Sequence, residues 1–498
     1  SRLAILHART ARLGTQRVAC ASSAQSAGSV IRAMVLLFAA LQLVSAAGAK
    51  TYFVRVDGGD QQQCSGLVNA ARASGRACAW RHPFVALPPG GEPRIAGGDT
   101  LLIGAGEYQM GMGAPGADNC NLAWPWDCFM AALPSGLSAS APTRLSGAGA
   151  DGTCAIKPQL WGTERAARVI NLDGSRHIEV TCLEITDHSS CVEHHCHGGA
   201  CAEIARCERD QAPYGDWAGS GVYARDSANV SLRDLDVHGL ALRGFHVGRV
   251  RDWRLQRVAI IGNGWSGWDG DLGEPSSNAG ELRFEEVEIA WNGCAERYPS
   301  RKPFGCWGQE SGGYGDGLGA AASAGNWFFD RVRVHHNAAD GIDLLYLQPP
   351  GRVSLQRSQL HANGGNQFKA SGEVNLTTSV IDGNCAELGA YGLPTGDHCR
   401  AGGNAVSIVL WPGVAAQVHD NQISGAGDCL VVMQGGDASS DAQLKGNRMK
   451  GRPTWSDSAR RSCGFYMHES AARVELKGNQ FSGVRKHECA SGNRCSEH

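Results

Sequence analysis

From Val169 onward the chain alternates apolar and polar positions in short runs that each end at Asn or Gly. Clear examples are residues 230–238, 253–263, 282–292, 327–337, 353–363 and 374–384, with shorter echoes at 416–421, 442–447 and 474–479. Alternation with a period of two predicts strands rather than helices. The terminal asparagines Asn263, Asn292, Asn337, Asn363 and Asn384 are spaced 29, 45, 26 and 21 residues apart. Repeats of roughly 20–50 residues signal a solenoid. No long amphipathic helical pattern interrupts them, so the expected fold is all-β, a single-stranded parallel β-helix. Asparagine at a fixed corner suits left-handed backbone geometry and side-chain stacking from coil to coil. The 45-residue interval reads as one coil carrying an insertion at 294–314, which includes Cys306 and Trp307. Insertions beside a site commonly shape the substrate groove.

Ahead of the repeats, residues 52–60, 82–87 and 95–108 read as a first strand, a capping segment and a Gly-Asp-Thr-Leu strand. This entry resembles that of many secreted right-handed parallel β-helix proteins. Residues 110–165, rich in Gly, Pro, Ala and Trp and holding Cys120, Cys128 and Cys154, read as a long disulfide-tied loop. The expected organisation is a leader over 1–49, an N-terminal cap with first strands and loop over 50–168, and coils over 169–498.

Arg32 precedes an apolar run from Met34 that ends in small residues at 46–49. A run this short predicts a cleaved secretory signal rather than a membrane span. Residues 1–33 contain no acid, and with Met34 just before the apolar run they read as an upstream extension. Residues 1–49 carry Arg2, Arg9, Arg12, Arg17 and Arg32 and no acid, so the remaining chain is more acidic than the net −2 of the whole. They also carry Cys20, one of 19 cysteines, which leaves an even set. Even cysteine numbers in a secreted chain imply disulfides and an extracellular or periplasmic location. Mild acidity argues against nucleic acid as a partner, and means that a polyanionic substrate would need local cations. A monomer is expected.

The chemistry concentrates between Gly312 and Gly372. Asp316 lies in Gly-Tyr-Gly-Asp-Gly, Asp340 and Asp343 in His-Asn-Ala-Ala-Asp-Gly-Ile-Asp-Leu-Leu, and Lys369 in Asn-Gly-Gly-Asn-Gln-Phe-Lys-Ala-Ser-Gly. Asp316 and Asp343 are 27 residues apart, and Asp343 and Lys369 are 26 apart. Neighbouring strands of a sheet lie about 4.8 Å apart, so equal steps of one coil would stack Asp316, Asp343 and Lys369 in one column with Asp340 beside it. Carboxylates that close repel unless a cation intervenes. Oxygen-only ligands favour a hard ion, Ca2+ above others. A lysine beside a bound divalent cation would have its pKa pushed down and could serve as a general base. Arg400 follows about one expanded coil later and is a candidate partner for a substrate carboxylate. Asp269 and Asp271, in Trp-Ser-Gly-Trp-Asp-Gly-Asp, could extend the acidic column, and Trp265 and Trp268 could offer stacking faces to sugar rings.

These motifs resemble those of the family-nine polysaccharide lyases, the calcium-dependent pectate-lyase type, which carry an Asp-Gly turn, then Asp-Asp-Gly-Trp-Asp-Leu, then Asn-Gly-Phe-Lys. The resemblance covers about 60 residues. It implies Asp316, Asp340 and Asp343 as calcium ligands and Lys369 as the Brønsted base of a β-elimination on a uronic-acid polysaccharide. The chain departs from that pattern at Ala339, which stands where the family has the first Asp of its pair, and at Ile342, which replaces an aromatic.

Two other functions fit the same pattern: a β-helix glycoside hydrolase using aspartates as acid and base, and a non-catalytic carbohydrate-binding or surface β-helix. The hydrolase leaves Lys369 without a role. The segment 182–207 contains five cysteines interleaved with His188, His194, His195 and His197. Without short paired Cys-x-x-Cys knuckles it reads as disulfides rather than a zinc site.

Overall fold

The computed structural model describes residues 48–148, 154–189, 211–273, 275–294, 296–306, 315–393, 404–425, 429–451, 463–468, 470–489 and 494–497. Every strand pairing is parallel, and each strand's partners lie one coil before and one coil after it. Three sheets of 14, 12 and 11 strands result, each strand taking its place by coil number. The fold is a right-handed parallel β-helix, the hand favoured for parallel crossovers.

The core is the bore between the three sheets. In the 14-stranded sheet one apolar column runs Val230, Trp253, Leu282, Trp327, Val353, Val374, Ala416, Ala442 and Val474, each residue in register with the next. All are buried. Side chains of successive coils therefore stack on their own kind; Phe284 and Phe329, for example, lie with ring centroids 5.0 Å apart and 25° between planes. The stack needs an end cover. Near the N-terminus the short helix Pro83–Ala86 buries all four of its residues, and His82 caps it by accepting from the Phe84 N–H at 3.0 Å. The stretch 110–165 is not loop throughout, since Thr143–Gly147 and Gln159–Gly162 are strands of two sheets.

Disulfides join Cys64 to Cys78, Cys120 to Cys128, Cys154 to Cys182, Cys294 to Cys306 and Cys429 to Cys463 among the described residues. The last joins residues in register on adjacent coils. This density fits an oxidising compartment. No helix among the described residues is long and apolar enough to cross a membrane.

The corner asparagines do stack. The Asn263 Nδ2 donates to Asn292 Oδ1 at 2.8 Å, Asn292 to Asn337 at 2.8 Å and Asn337 to Asn363 at 2.8 Å. Two details differ from expectation. The left-handed residue is the one before each asparagine, as at Trp291 (φ 58°), His336 (φ 55°) and Ala362 (φ 57°). This turn aims the asparagine side chain inward along the axis. The ladder also does not proceed to Asn384: Asn363 Nδ2 donates to Gln367 Oε1 at 2.7 Å, within its own coil.

Candidate functional site

The strand Ile342–Leu344 pairs with Phe368–Ser371, which places Asp343 in register with Lys369. Ile342 and Phe368 point into the bore, so Asp343 and Lys369 face outward by alternation. The ammonium of Lys369 donates to Asp343 Oδ2 at 2.7 Å and to Asp340 Oδ2 at 3.0 Å. Asp340 is fully enclosed, while Lys369 and Asp343 keep 14% and 17% of their side chains open. The second Asp340 oxygen accepts from Asn366 N at 2.7 Å and Asn366 Nδ2 at 3.0 Å.

Asp316 joins this group, but not in the expected column. The residue in register with Asp343 is Gly319, on the strand Leu318–Gly319. Asp316 lies in the turn before that strand and meets Asp340 instead: its Oδ1 accepts from Asp340 N at 2.9 Å. The insertion at 294–314 hides this register in the sequence, because the step that matters, Asp316 to Asp340, is 24 residues and not 27. Gly319 leaves its rung without a side chain, and the Asp316 carboxylate lies over it, with Oδ2 3.0 Å from where a Cβ would stand.

Burial, then the charges of Asp340 and Asp343, raise the Asp316 pKa well above the carboxylate value. Burial and Asp340 also raise that of Asp343, against the pull of Lys369. For Lys369, burial lowers the pKa, but Asp340 and Asp343 outweigh it and the net shift is upward. In this arrangement Lys369 is an ammonium that neutralises two carboxylates. The donor set is oxygen only and holds more negative charge than one ammonium offsets, which suits a hard divalent cation. Asp316, Asp340 and Asp343 do not form one of the groups whose donor atoms all lie within 4.8 Å of one another. Glu184, Asp236 and His238 do. That second cluster supplies its own cations: Arg301 reaches Asp236 at 2.8 Å. Burial opposes the charge on His238, yet Glu184 and Glu296 carry its pKa up to about 9.

The remaining sequence candidates divide. Asp269 is one rung before Gly319 on the same face and forms an ion pair with Arg243. Asp271 lies at the surface and accepts from the Ala321 N–H. Trp268 is not a sugar platform: it points into the bore, 0% exposed, with its ring 5.3 Å from Phe284 and 5.4 Å from Phe245. Trp265 is not an open face either, being 6% exposed with the Arg243 guanidinium 4.4 Å above its ring. Alternation explains both, since Trp268 shares the inward register of Phe245. Arg400, Trp307 and residues 191–207 lie outside the described residues, apart from Cys182 and His188, which precede them.

Sequence reasoning passed over Arg168, Tyr223, Arg243 and His246. Tyr223, His246 and Asp269 are successive rungs of the column that continues through Gly319 to Asp343 and Lys369. Arg168, Ser220, Arg243 and Ser266 occupy the neighbouring positions. The signal that could have found them is the same one-coil step, 26 residues from Arg243 to Asp269.

No protein-family model matches the chain, and no curated protein sequence matches it. Solved structures do resemble it. An alginate lyase from Paenibacillus sp. str. FPU-7 is 12% identical, covering 80% of this chain and 93% of that one, with a TM-score of 0.36. Pectate lyase Pel9A is 11% identical, covering 90% and 80%, with a TM-score of 0.33. The surface adhesin PfbA of Streptococcus pneumoniae is 9% identical, covering 79% and 86%, with a TM-score of 0.42. Likenesses at this level assign no role to any residue.

Proposed function

We propose that the protein is a secreted polysaccharide lyase that cleaves a uronic-acid polymer by β-elimination. One observation carries this reading: an outward-facing lysine held between two enclosed carboxylates, with a third beside them, on one face of a β-helix. The C5 proton of a uronate is acidic because its carboxylate can take up the charge as an enolate. A base must remove that proton, and a cationic environment must neutralise the carboxylate. Lys369 is the proposed base. Asp316, Asp340 and Asp343 are the proposed ligands of Ca2+, which when bound would neutralise the uronate and stabilise the enolate.

The pKa of Lys369 explains why the two roles belong together. Asp340 and Asp343 hold the proton on Lys369. Occupying those same oxygens with a metal ion removes their pull, so that Lys369 can give up the proton and act as base. The lysine is then a stand-in cation at rest and a proton acceptor at work.

The test is the ultraviolet absorbance of unsaturated uronate on pectate, alginate, glucuronan and rhamnogalacturonan, with calcium or with chelator. The expected result is a calcium-dependent rise on one polymer, lost at least 1,000-fold in Lys369→Ala, at the upper part of the range for a general base. New reducing ends without that absorbance would replace the elimination with hydrolysis. A non-catalytic carbohydrate-binding β-helix is the second reading, favoured by the upward shift of Lys369, which would then be a permanent ion-pair partner. Silence in both assays would favour it.

A further inference from the structure

Arg168 stands out on the groove face. Its guanidinium is sandwiched between Phe129, 4.2 Å away, and Tyr223, 3.3 Å away. Burial lowers its pKa, and its Nε is buried without a hydrogen-bond partner. Its described polar contact is to the amide oxygen of Asn171 at 3.3 Å, and it makes no ion pair among the described residues. Aromatic stacking fixes the fork but does not neutralise its charge. Two rungs on, Arg243 lies over Trp265 and shares its charge with Asp269. Between and beside them Tyr223 and His246 meet edge to face at 5.7 Å. Burial first, then Arg243, push the His246 pKa down to about 4, so this imidazole is neutral. Neither of its ring nitrogens has a hydrogen-bond partner among the described residues. Ser266 Oγ, next along the column, is likewise unpartnered.

The face thus has two ends: guanidinium groups at one, carboxylates around Lys369 at the other. The Arg243 rung and the Asp340 rung are three strand spacings apart, about 14 Å. A polymer with a carboxylate on every sugar, laid along the helix axis, would meet both.

We propose that Arg168, Arg243 and His246 form a carboxylate-binding subsite of this groove, which holds a second uronate of the polymer while the first sits at Lys369. The choice of uronate rests on the proposed function, but the preference for an anionic sugar rests on the arginines themselves. Arg168 supplies the charge and the fork. His246 and Ser266 supply neutral donors. Tyr223, Phe129 and Trp265 hold the guanidinium groups in place and give the sugar an apolar flank.

The experiment is calorimetric titration of the full chain with hexamers of galacturonate, mannuronate and glucuronate and with their methyl esters. Lys369→Ala prevents turnover, and its melting curve reports folding. One acid hexamer should bind, its ester at least tenfold more weakly. Arg168→Gln should weaken acid binding at least tenfold while leaving ester binding unchanged, and Arg168→Lys should restore part of the loss. The acid-against-ester comparison on unmutated protein, in chelator, needs no variant to fold. Equal affinity for acid and ester, no binding of any hexamer, or acid binding indifferent to Arg168→Gln would each overturn the subsite. Arginine-dependent binding without unsaturated product would overturn the elimination and leave the subsite standing. Unsaturated product with arginine-independent binding would do the reverse.

Discussion

Two polar ladders run side by side through the same coils, three residues apart in sequence. One is Asn263, Asn292, Asn337, Asn363 and Gln367, all at 0% exposure. The other is Asp316, Asp340 and Asn366, with Asp343 and Lys369 on the adjoining column. The amide ladder satisfies itself. Each side-chain oxygen accepts from the amide and the backbone N–H of the preceding member, as Asn363 Oδ1 does from Asn337 at 2.8 and 3.1 Å. Each amide also donates to a backbone carbonyl, as Asn337 does to Ile289 at 3.1 Å. An amide has donors and acceptors in equal supply, whereas an ionised carboxylate only accepts. The acid ladder therefore cannot close on itself. It draws on backbone N–H groups, on Asn366 and on Lys369, and still keeps surplus charge. A self-satisfied stack is architecture; an unbalanced one beside open solvent is a place for a ligand.

Exchanging the chemistry of the two ladders tests that contrast. The largest effect is expected from Asn337→Asp, which puts an unpaired acceptor-only group in the amide stack. Removing one partner of an enclosed polar pair costs about 3–5 kcal/mol, read as a lower denaturant midpoint at neutral pH. Burial would raise the pKa of the new carboxyl, so the loss should shrink as pH falls below the unfolded value and the protonated acid donates again.

Lys369→Met should cost less, about 2 kcal/mol, because Lys369 and Asp343 are partly open to water while a fully enclosed pair would cost ~3–5 kcal/mol. Lys369 has a raised pKa in the folded state, so its stabilisation is complete below the ordinary value of 10.5 and is lost as pH rises through the folded value. Wild type should therefore lose stability at high alkaline pH where Lys369→Met does not. Calcium should restore the melting temperature of Lys369→Met more than that of wild type.

The smallest effect runs the other way. Asp316→Asn keeps the oxygen that accepts from Asp340 N and removes an enclosed charge, and should stabilise by about 1 kcal/mol at neutral pH. The raised pKa of Asp316 means that wild type is favoured below the ordinary 3.8 and loses stability as pH rises from there towards the folded value. The advantage of Asp316→Asn should grow over that range and vanish in acid.

How much of this was legible depended on whether the signal repeats. The amide ladder and the coils were readable because asparagine returns at each corner. Asp343 and Lys369 were readable as a pair because their coil carries no insertion, so a 26-residue step is the register itself. Asp316 was misplaced by one column because the coil before it is lengthened and its short strand begins after the aspartate. Trp268 was taken for a surface ring because Gly, Ser and Trp around it blur the alternation; only its partner Phe245 fixes the inward face. The arginine end of the groove left no local trace, since Arg168 and Arg243 gain meaning only when distant coils are stacked.

Gln367 has a role outside the chemistry. By turning back onto Asn363 it terminates the amide stack one strand short of Lys369. The next corner is released from supplying an asparagine to the stack, and the chain there departs from the coil in the 3-10 turn Ala386–Tyr391 before rejoining at Val406–Leu410. A second stack, from Asn421 through Asn447 to Asn479, begins afresh beyond it. The solenoid is thus two stacked segments with an expansion joint between them, and that joint lies in the coil after Lys369, where sequence can be inserted or lost without disturbing either stack.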